Sequence, residues 1–156
     1  MSRIYLGLGS NLGDKEAFLL QAIKRIEKQI GPIVARSVFF VSKPWGFESS
    51  NGFLNACVSA ETTITPKECL LLLKGIESAL GRPEKVSDAY LDRVIDLDIL
   101  FYDDIVLEEP NLNIPHPLLH QRNFVLEPLA EIAPDLIHPI LGKTIKQLLS
   151  ELNGQS

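Results

Sequence analysis

The sequence has few of the residues that form disulfides or structural metal sites. Only two cysteines and three histidines occur in 156 residues. Cys57 and Cys69 lack metal-ligand spacing, so we expect buried thiols in a protein of the reducing cytoplasm. No apolar run approaches the ~20 residues that cross a bilayer, and the N-terminus lacks a secretion signal. The net charge of −5 argues against nucleic acid as a partner, and nothing indicates a membrane partner.

The length and the 46% content of hydrophobic residues predict one domain spanning residues 1–156. Apolar periodicity and turn residues predict four strands, at residues 4–9, 33–43, 53–63 and 95–102. Helices are predicted from Asp14 to Ile30, from Pro66 to Leu80, near 123–132 and near 144–152. The order predicts an α+β fold, a ferredoxin-like β-α-β-β-α-β antiparallel sheet with helices on one face and a C-terminal extension. Such a fold hosts many functions.

The strongest chemical signal is the pair Asp96 and Asp98 on one predicted strand. Side chains two residues apart share a strand face, and their Cα atoms lie about 7 Å apart. Ile95, Leu97 and Ile99 then face the core. Two carboxylates at this spacing can hold magnesium ions that also bind phosphate oxygens. The alternative is an ordinary polar face of a half-exposed strand.

The glycine-rich segment Gly7-Leu8-Gly9-Ser10-Asn11-Leu12-Gly13 matches neither common phosphate-binding fingerprint. Its spacing is GxGxxxG instead of the GxGxxG of dinucleotide-binding folds, and no lysine follows as in a P-loop. The segment predicts a tight turn from the first strand into the first helix. A nucleotide must therefore be held by other residues.

Several segments together resemble one enzyme family. They are LGLGSNLGD (6–14), SKPWG (42–46), FLNACV (53–58), IESALGR (76–82), RVIDLDIL (93–100), IPHPLLHQRNFVLEPLAEIAPD (114–135) and HP (138–139). In this combination the chain resembles the 6-hydroxymethyl-7,8-dihydropterin pyrophosphokinases of folate biosynthesis. The resemblance implies ATP as the diphosphate donor, the pterin as the acceptor, AMP as the second product and two Mg²⁺ ions.

The resemblance also implies roles for residues at the pterin end. Phe53 and Phe124 would stack on the two faces of the ring, and Asn55 would hydrogen-bond its polar edge. The other expected contacts of the pterin are Ser42, Pro44, Trp45 and Asp96. Taken singly, Phe53 and Phe124 are equally typical of core aromatics, and Asn55 of a strand residue facing water.

At the phosphate end, Asp96 and Asp98 would be the metal ligands, and Arg82 and Arg93 would join them as catalytic residues. The residues implied on the ATP side are Glu77, Arg82, Arg93, Ile99, His116 and Arg122. Arginine suits a triphosphate through paired hydrogen bonds. Taken singly, the two loop arginines are typical of solvated charges, His116 of a turn residue and Glu77 of an exposed helix charge.

The segment 83–92 departs from the basic loop of the family. Glu84, Asp88 and Asp92 stand where the family has basic residues or glycine, and Tyr90 stands near the expected tryptophan. We expect Lys85, the one basic residue between Arg82 and Arg93, to take part of the missing role in ATP binding. The alternative is that Lys85 points into water.

The altered loop leaves three functional hypotheses. The first is an active, monomeric pyrophosphokinase. The second is a homologue that binds pterin or nucleotide with impaired turnover. The third is a ferredoxin-like regulatory or interaction domain without metal. Magnesium-dependent ATP binding separates the third hypothesis from the others, and pterin-dependent AMP formation separates the first from the second.

Overall fold

The structure, a computed structural model, describes residues 1–42, 52–81 and 94–154. Its strands are β1 (Ser2–Ser10), β2 (Ile33–Arg36), β3 (Phe40–Ser42), β4 (Phe53–Thr62), β5 (Asp96–Tyr102), β6 (Leu107–Glu109) and β7 (Leu112–Ile114). Its helices are α1 (Lys15–Gln29), α2 (Pro66–Ala79), α3 (Asn123–Ile132) and α4 (Ile145–Leu152), with a short 3₁₀ turn at Leu119–Gln121. None of the helices within these described ranges is long and apolar enough to cross a membrane.

The main sheet is antiparallel and has the order β2-β4-β1-β5, with β3 also paired to β4. The central strand β1 runs beside β4 from Ser2 opposite Thr62 to Ser10 opposite Leu54. Strand β5 pairs with β1 on the other side and is the last strand in the order. This arrangement confirms the predicted mixed fold with an antiparallel sheet.

The predicted strand at 33–43 is wrong in its continuity, because it divides into β2 and β3. Between them, the Ser37 hydroxyl accepts the backbone N–H of Cys57 at 2.9 Å and donates to the Val38 carbonyl at 2.8 Å. The Ser37 side chain thus accepts the Cys57 N–H of β4, which a backbone carbonyl of the neighbouring strand would otherwise accept. The regular ladder stops at Ser37 and resumes at Phe40.

The helix starts follow the local sequence signals. The Asp14 carboxylate accepts the Ala17 N–H and caps α1. Thr65 and Glu68 form a reciprocal capping box at the start of α2, with Pro66 in the first turn. Gly13, with φ of +68°, makes the predicted turn into α1.

Helices α1 and α2 cover one face of the sheet and form the first core with it. The alternating residues Ile4, Leu6 and Leu8 of β1 are at most 3% exposed and point into this core. On α1, Leu19, Ala22, Ile23, Ile26 and the following Ile30 are buried in this core, whereas Phe18 is only partly buried. The core therefore follows the period-two and period-3.6 patterns of the sequence.

The C-terminal extension covers the opposite face of the sheet and forms a second core. Leu100 and Phe101 of β5 and Cys57 of β4 pack there against residues of α3 and α4. The extension also contains the β6–β7 hairpin, which the sequence did not predict. Both cysteines are buried, as predicted. Burial raises the pKa of both thiols, that of Cys69 to about 12.

Candidate active site

The site is built on the sheet face that points toward the C-terminal extension. Asn55 of β4 lies opposite Gly9 of β1, and Gly9 lies opposite Asp96 of β5. One step along the sheet, Gly7 lies between Cys57 and Asp98 in the same way. The two glycines leave a floor of bare backbone between the amide on one side and the carboxylates on the other.

A cleft opens above this floor and encloses about 650 Å³, including the solvent at its mouth. The residues that line it come from β1, β3, β4, β5 and the start of α3: Gly7, Leu8, Gly9, Ser42, Phe53, Asn55, Ala56, Cys57, Asp96, Asp98, Leu100, Arg122, Phe124 and Val125. Polar side chains at its two ends and apolar groups between them suit a flat, partly polar ligand.

Asn55 is held in one orientation at one of the two polar ends of the cleft. Its side chain is 4% exposed, and its Nδ2 donates to the Ser42 hydroxyl at 2.6 Å. Ser42 can be there because β3 pairs with β4 and places it opposite Phe53. A fixed carboxamide presents one acceptor and one donor at known positions, which is what recognition of a heterocycle edge requires.

Two aromatic side chains reach the cleft from different elements. Phe53 begins β4, and Phe124 lies in the first turn of α3. The guanidinium of Arg122, which is 7% exposed, lies 5.6 Å from the centroid of the Phe124 ring. Both predicted ring-stacking residues therefore line one cavity, with a cation beside one of them.

The carboxylates of Asp96 and Asp98 project from one face of β5, as the alternation predicts. Leu97 and Ile99, on the other face, are each 5% exposed and belong to the first core. Within the described ranges, no group of three or more His, Cys, Asp or Glu side chains is placed to hold a metal. Two hard oxygen ligands with room for water and phosphate oxygens fit Mg²⁺, which seldom occupies an all-protein cage.

His116 lines a second cleft, together with His120, His138 and residues of the β6–β7 hairpin. Burial and the charge of Arg122 lower its pKa from 6.5 to about 4, and Asp96 opposes this shift. Its Nδ1 accepts the Leu118 N–H at 3.3 Å. The ring is therefore neutral near pH 7, and Nε2 is the nitrogen that donates.

The histidine of the HP segment has a structural role. Nδ1 of His138 accepts the N–H groups of Ile140 and Leu141 at 3.2 and 3.1 Å. Its ring packs edge-on against Phe101, with the centroids 5.6 Å apart. His138 thus stabilises a turn of the extension against β5.

Three of the described residues predicted on the ATP side lie outside the lining of the first cleft: His116, which lines the second cleft, Ile99 and Glu77. Ile99 belongs to the first core. Glu77 lies on α2, is 8% exposed, and accepts the Leu97 N–H at 2.8 Å through Oε2. The predictions for Pro44, Trp45, Arg82, Lys85 and Arg93 lie outside the described residues.

Sequence reasoning did not assign the floor of the cleft. Gly7 and Gly9 lie within β1, in agreement with the strand predicted at 4–9. The alternation with Ile4, Leu6 and Leu8 indicated that they face the other side of the sheet. Only the pairing of β1 with both β4 and β5 places them between Asn55 and the carboxylates.

The chain matches a known protein family over most of its length. Residues 5–134 match the family described as 7,8-dihydro-6-hydroxymethylpterin-pyrophosphokinase (HPPK). A relative from Aquifex aeolicus, 2-amino-4-hydroxy-6-hydroxymethyldihydropteridine pyrophosphokinase, is 42% identical over 97% of this chain and 92% of its own. The protein of that name from Methylorubrum extorquens is 43% identical over 98% and 95%, respectively.

The fold resembles that of larger solved proteins. A crystal structure of Plasmodium falciparum HPPK-DHPS superimposes with a TM-score of 0.79 over 96% of this chain, at 18% identity. The chain spans 43% of that longer polypeptide. At this identity the likeness bears on the fold alone.

Proposed function

The chain belongs to the 7,8-dihydro-6-hydroxymethylpterin-pyrophosphokinase family, and from that membership we propose its reaction. The enzyme transfers diphosphate from ATP to the hydroxymethyl group of 6-hydroxymethyl-7,8-dihydropterin in folate biosynthesis. The products are AMP and the pterin diphosphate ester. The observation that carries this proposal is the convergence, in one cleft, of the Asn55 amide, two aromatic rings and the carboxylates of Asp96 and Asp98.

The pterin occupies the part of the cleft between Asn55 and the aromatic rings. Phe53 and Phe124 contact the two faces of the ring, and stacking of this kind contributes about 0.5–1.5 kcal/mol per pair beyond area burial. The amide of Asn55, fixed by Ser42, pairs with the polar edge. Asp96 lies across the glycine floor, at the end from which the hydroxymethyl group reaches the phosphates.

The reaction needs alignment and charge neutralisation more than covalent help from the protein. The substrate hydroxyl oxygen attacks the β-phosphorus of ATP, the bond from that phosphorus to the oxygen bridging the α-phosphate breaks, and AMP leaves. The hydroxyl proton passes to solvent. Arg122 and the donor Nε2 of His116 contact phosphate oxygens. Asp96 and Asp98 hold two Mg²⁺ ions, which supply charge neutralisation when bound.

The remaining contacts come from Arg82, Lys85 and Arg93, together with Pro44 and Trp45 at the pterin end. Both arginines neutralise the triphosphate, and Lys85 supplies a further point charge. Glu77 and Ile99 belong to the ATP side because of their positions on α2 and β5. We further propose one domain over residues 1–156 that acts as a monomer in the cytoplasm. Its two buried free thiols support a reducing compartment.

The test is AMP formation by the purified protein. AMP should appear only when ATP, Mg²⁺ and the pterin are all present. Asp96→Asn and Asp98→Asn should each lower turnover by at least ~10²-fold, about 2.7 kcal/mol. Asp135→Asn, an acidic residue after α3 that is not part of the cleft lining, serves as the matched control. AMP release independent of the pterin, or aspartate variants within threefold of the wild type, would overturn the assignment.

A further inference from the structure

The strand that carries the two carboxylates is the last strand in the order of the main sheet. Strand β5 pairs with β1 on one side, where Asp96 and Asp98 lie opposite Gly9 and Gly7. In an antiparallel pair, the N–H groups of successive residues point alternately toward and away from the partner strand. The N–H of Leu97, between the two aspartates, points away from β1 and reaches a group on α2.

That group is the carboxylate of Glu77. Its Oε2 accepts the Leu97 N–H at 2.8 Å, and the side chain is 8% exposed. Glu77 lies in the last turn of α2, which packs directly on β5. A carboxylate that accepts a backbone N–H makes a charge-assisted hydrogen bond, one of the stronger kinds in proteins.

We propose that Glu77 is a positioning residue that fixes the backbone between Asp96 and Asp98 and thereby sets the spacing and direction of their carboxylates. On one side the strand is held by the ladder to β1. On the other side, among the residues that the structure describes, the Glu77 carboxylate accepts the N–H that a neighbouring strand would otherwise bind. Outer groups of this kind orient metal ligands, and their loss typically weakens metal affinity 10–100-fold.

This inference rests on the proposed function, because it assumes that Asp96 and Asp98 bind Mg²⁺. The test therefore measures metal binding without turnover. Mn²⁺ serves as the probe, and its dissociation constant is measured by electron paramagnetic resonance with a non-hydrolysable ATP analogue. Hydrogen exchange of the Leu97 amide reports the proposed contact directly.

Three variants of Glu77 separate its hydrogen bond from its charge. Glu77→Ala removes the acceptor, and Glu77→Asp keeps the charge but draws the carboxylate back from Leu97. Both should raise the Mn²⁺ dissociation constant at least about tenfold and speed exchange of the Leu97 amide. Glu77→Gln retains an acceptor oxygen for the Leu97 N–H, so its Mn²⁺ dissociation constant should stay within about threefold of the wild type. A small increase is expected because a neutral acceptor makes a weaker hydrogen bond.

Glu68→Ala is the matched control on the same helix. It removes the capping box at the far end of α2, so it costs stability without touching β5. Its Mn²⁺ affinity should equal that of the wild type. Should Glu77→Ala fail to fold, Glu77→Asp decides the question. Wild-type Mn²⁺ affinity in Glu77→Asp, with slow exchange at Leu97, would overturn the positioning role.

The same measurement distinguishes a failure of the proposed metal site from a failure of the proposed role of Glu77. If Asp98→Asn does not weaken Mn²⁺ binding, the proposed metal site itself fails. If Asp98→Asn weakens it and neither Glu77→Asp nor Glu77→Ala does, only the role of Glu77 fails.

Discussion

Gly9→Ala is the smallest change that should damage pterin binding. A Cβ atom added at Gly9 would lie 3.2 Å from Oδ1 of Asn55 and 3.5 Å from Cδ1 of Phe53. The first distance is too short for an unstrained contact, so the Asn55 amide must turn or move by a few tenths of an ångström. It cannot do so freely, because its Nδ2 is bonded to the Ser42 hydroxyl at 2.6 Å.

The magnitude follows from the contacts that Asn55 would lose. A displaced amide weakens up to two hydrogen bonds to the pterin edge, each with a net contribution of about 0.5–1.5 kcal/mol. The expected loss in pterin binding is therefore about 1–3 kcal/mol, roughly 5- to 150-fold in Kd. Affinity for the ATP analogue should change less than about threefold, because the nearest atoms to the new methyl group belong to Asn55 and Phe53.

Isothermal titration calorimetry with the pterin measures the effect, and thermal unfolding checks that the variant is folded. Gly75→Ala on α2 controls for the substitution type, because a Cβ there has no described atom within 4 Å. Gly7→Ala should weaken pterin binding less than Gly9→Ala, because its nearest neighbour is the Leu100 side chain at 3.4 Å. A folded Gly9→Ala protein that binds pterin within twofold of the wild type would refute the reasoning.

Three further changes test other parts of the structure. Phe124→Ala should weaken pterin binding by about 1–3 kcal/mol through one lost stacking face; unchanged calorimetric affinity would instead indicate a core aromatic. The pKa of His116 is lowered from 6.5 to about 4, so between these pH values the unfolded state binds more protons and stability falls as the pH falls. Urea unfolding should show a contribution of about 2 kcal/mol lost between pH 7 and 5, and His116→Gln should lack it. A thiol reagent should label neither Cys57 nor Cys69 in the native protein and both in urea, because burial raises both thiol pKa values; fast labelling without urea would contradict their burial.

Local patterns in the sequence predicted the helices, most of the main-sheet strands and the direction of their faces. Apolar periodicity predicted β1, and Asp14 and Pro66 marked the starts of α1 and α2. The two aspartates share a face because neighbouring side chains on any strand alternate. These features depend on residues within a few positions of each other, so they can be deduced from the sequence alone. Resemblance to the family, by contrast, was needed to nominate Phe53, Asn55 and Phe124.

Which distant residues come into contact is seen only in the three-dimensional fold. The Ser37 hydroxyl interrupts a strand because Cys57 lies beside it, 20 positions further along the chain. Gly9 lies between Asn55 and Asp96 because β1 pairs with β4 on one side and with β5 on the other. The carboxylate of Glu77, an ordinary helix charge by sequence, is buried because α2 packs on the edge of β5. Such contacts depend on packing across the whole fold, and no pattern within one segment encodes them.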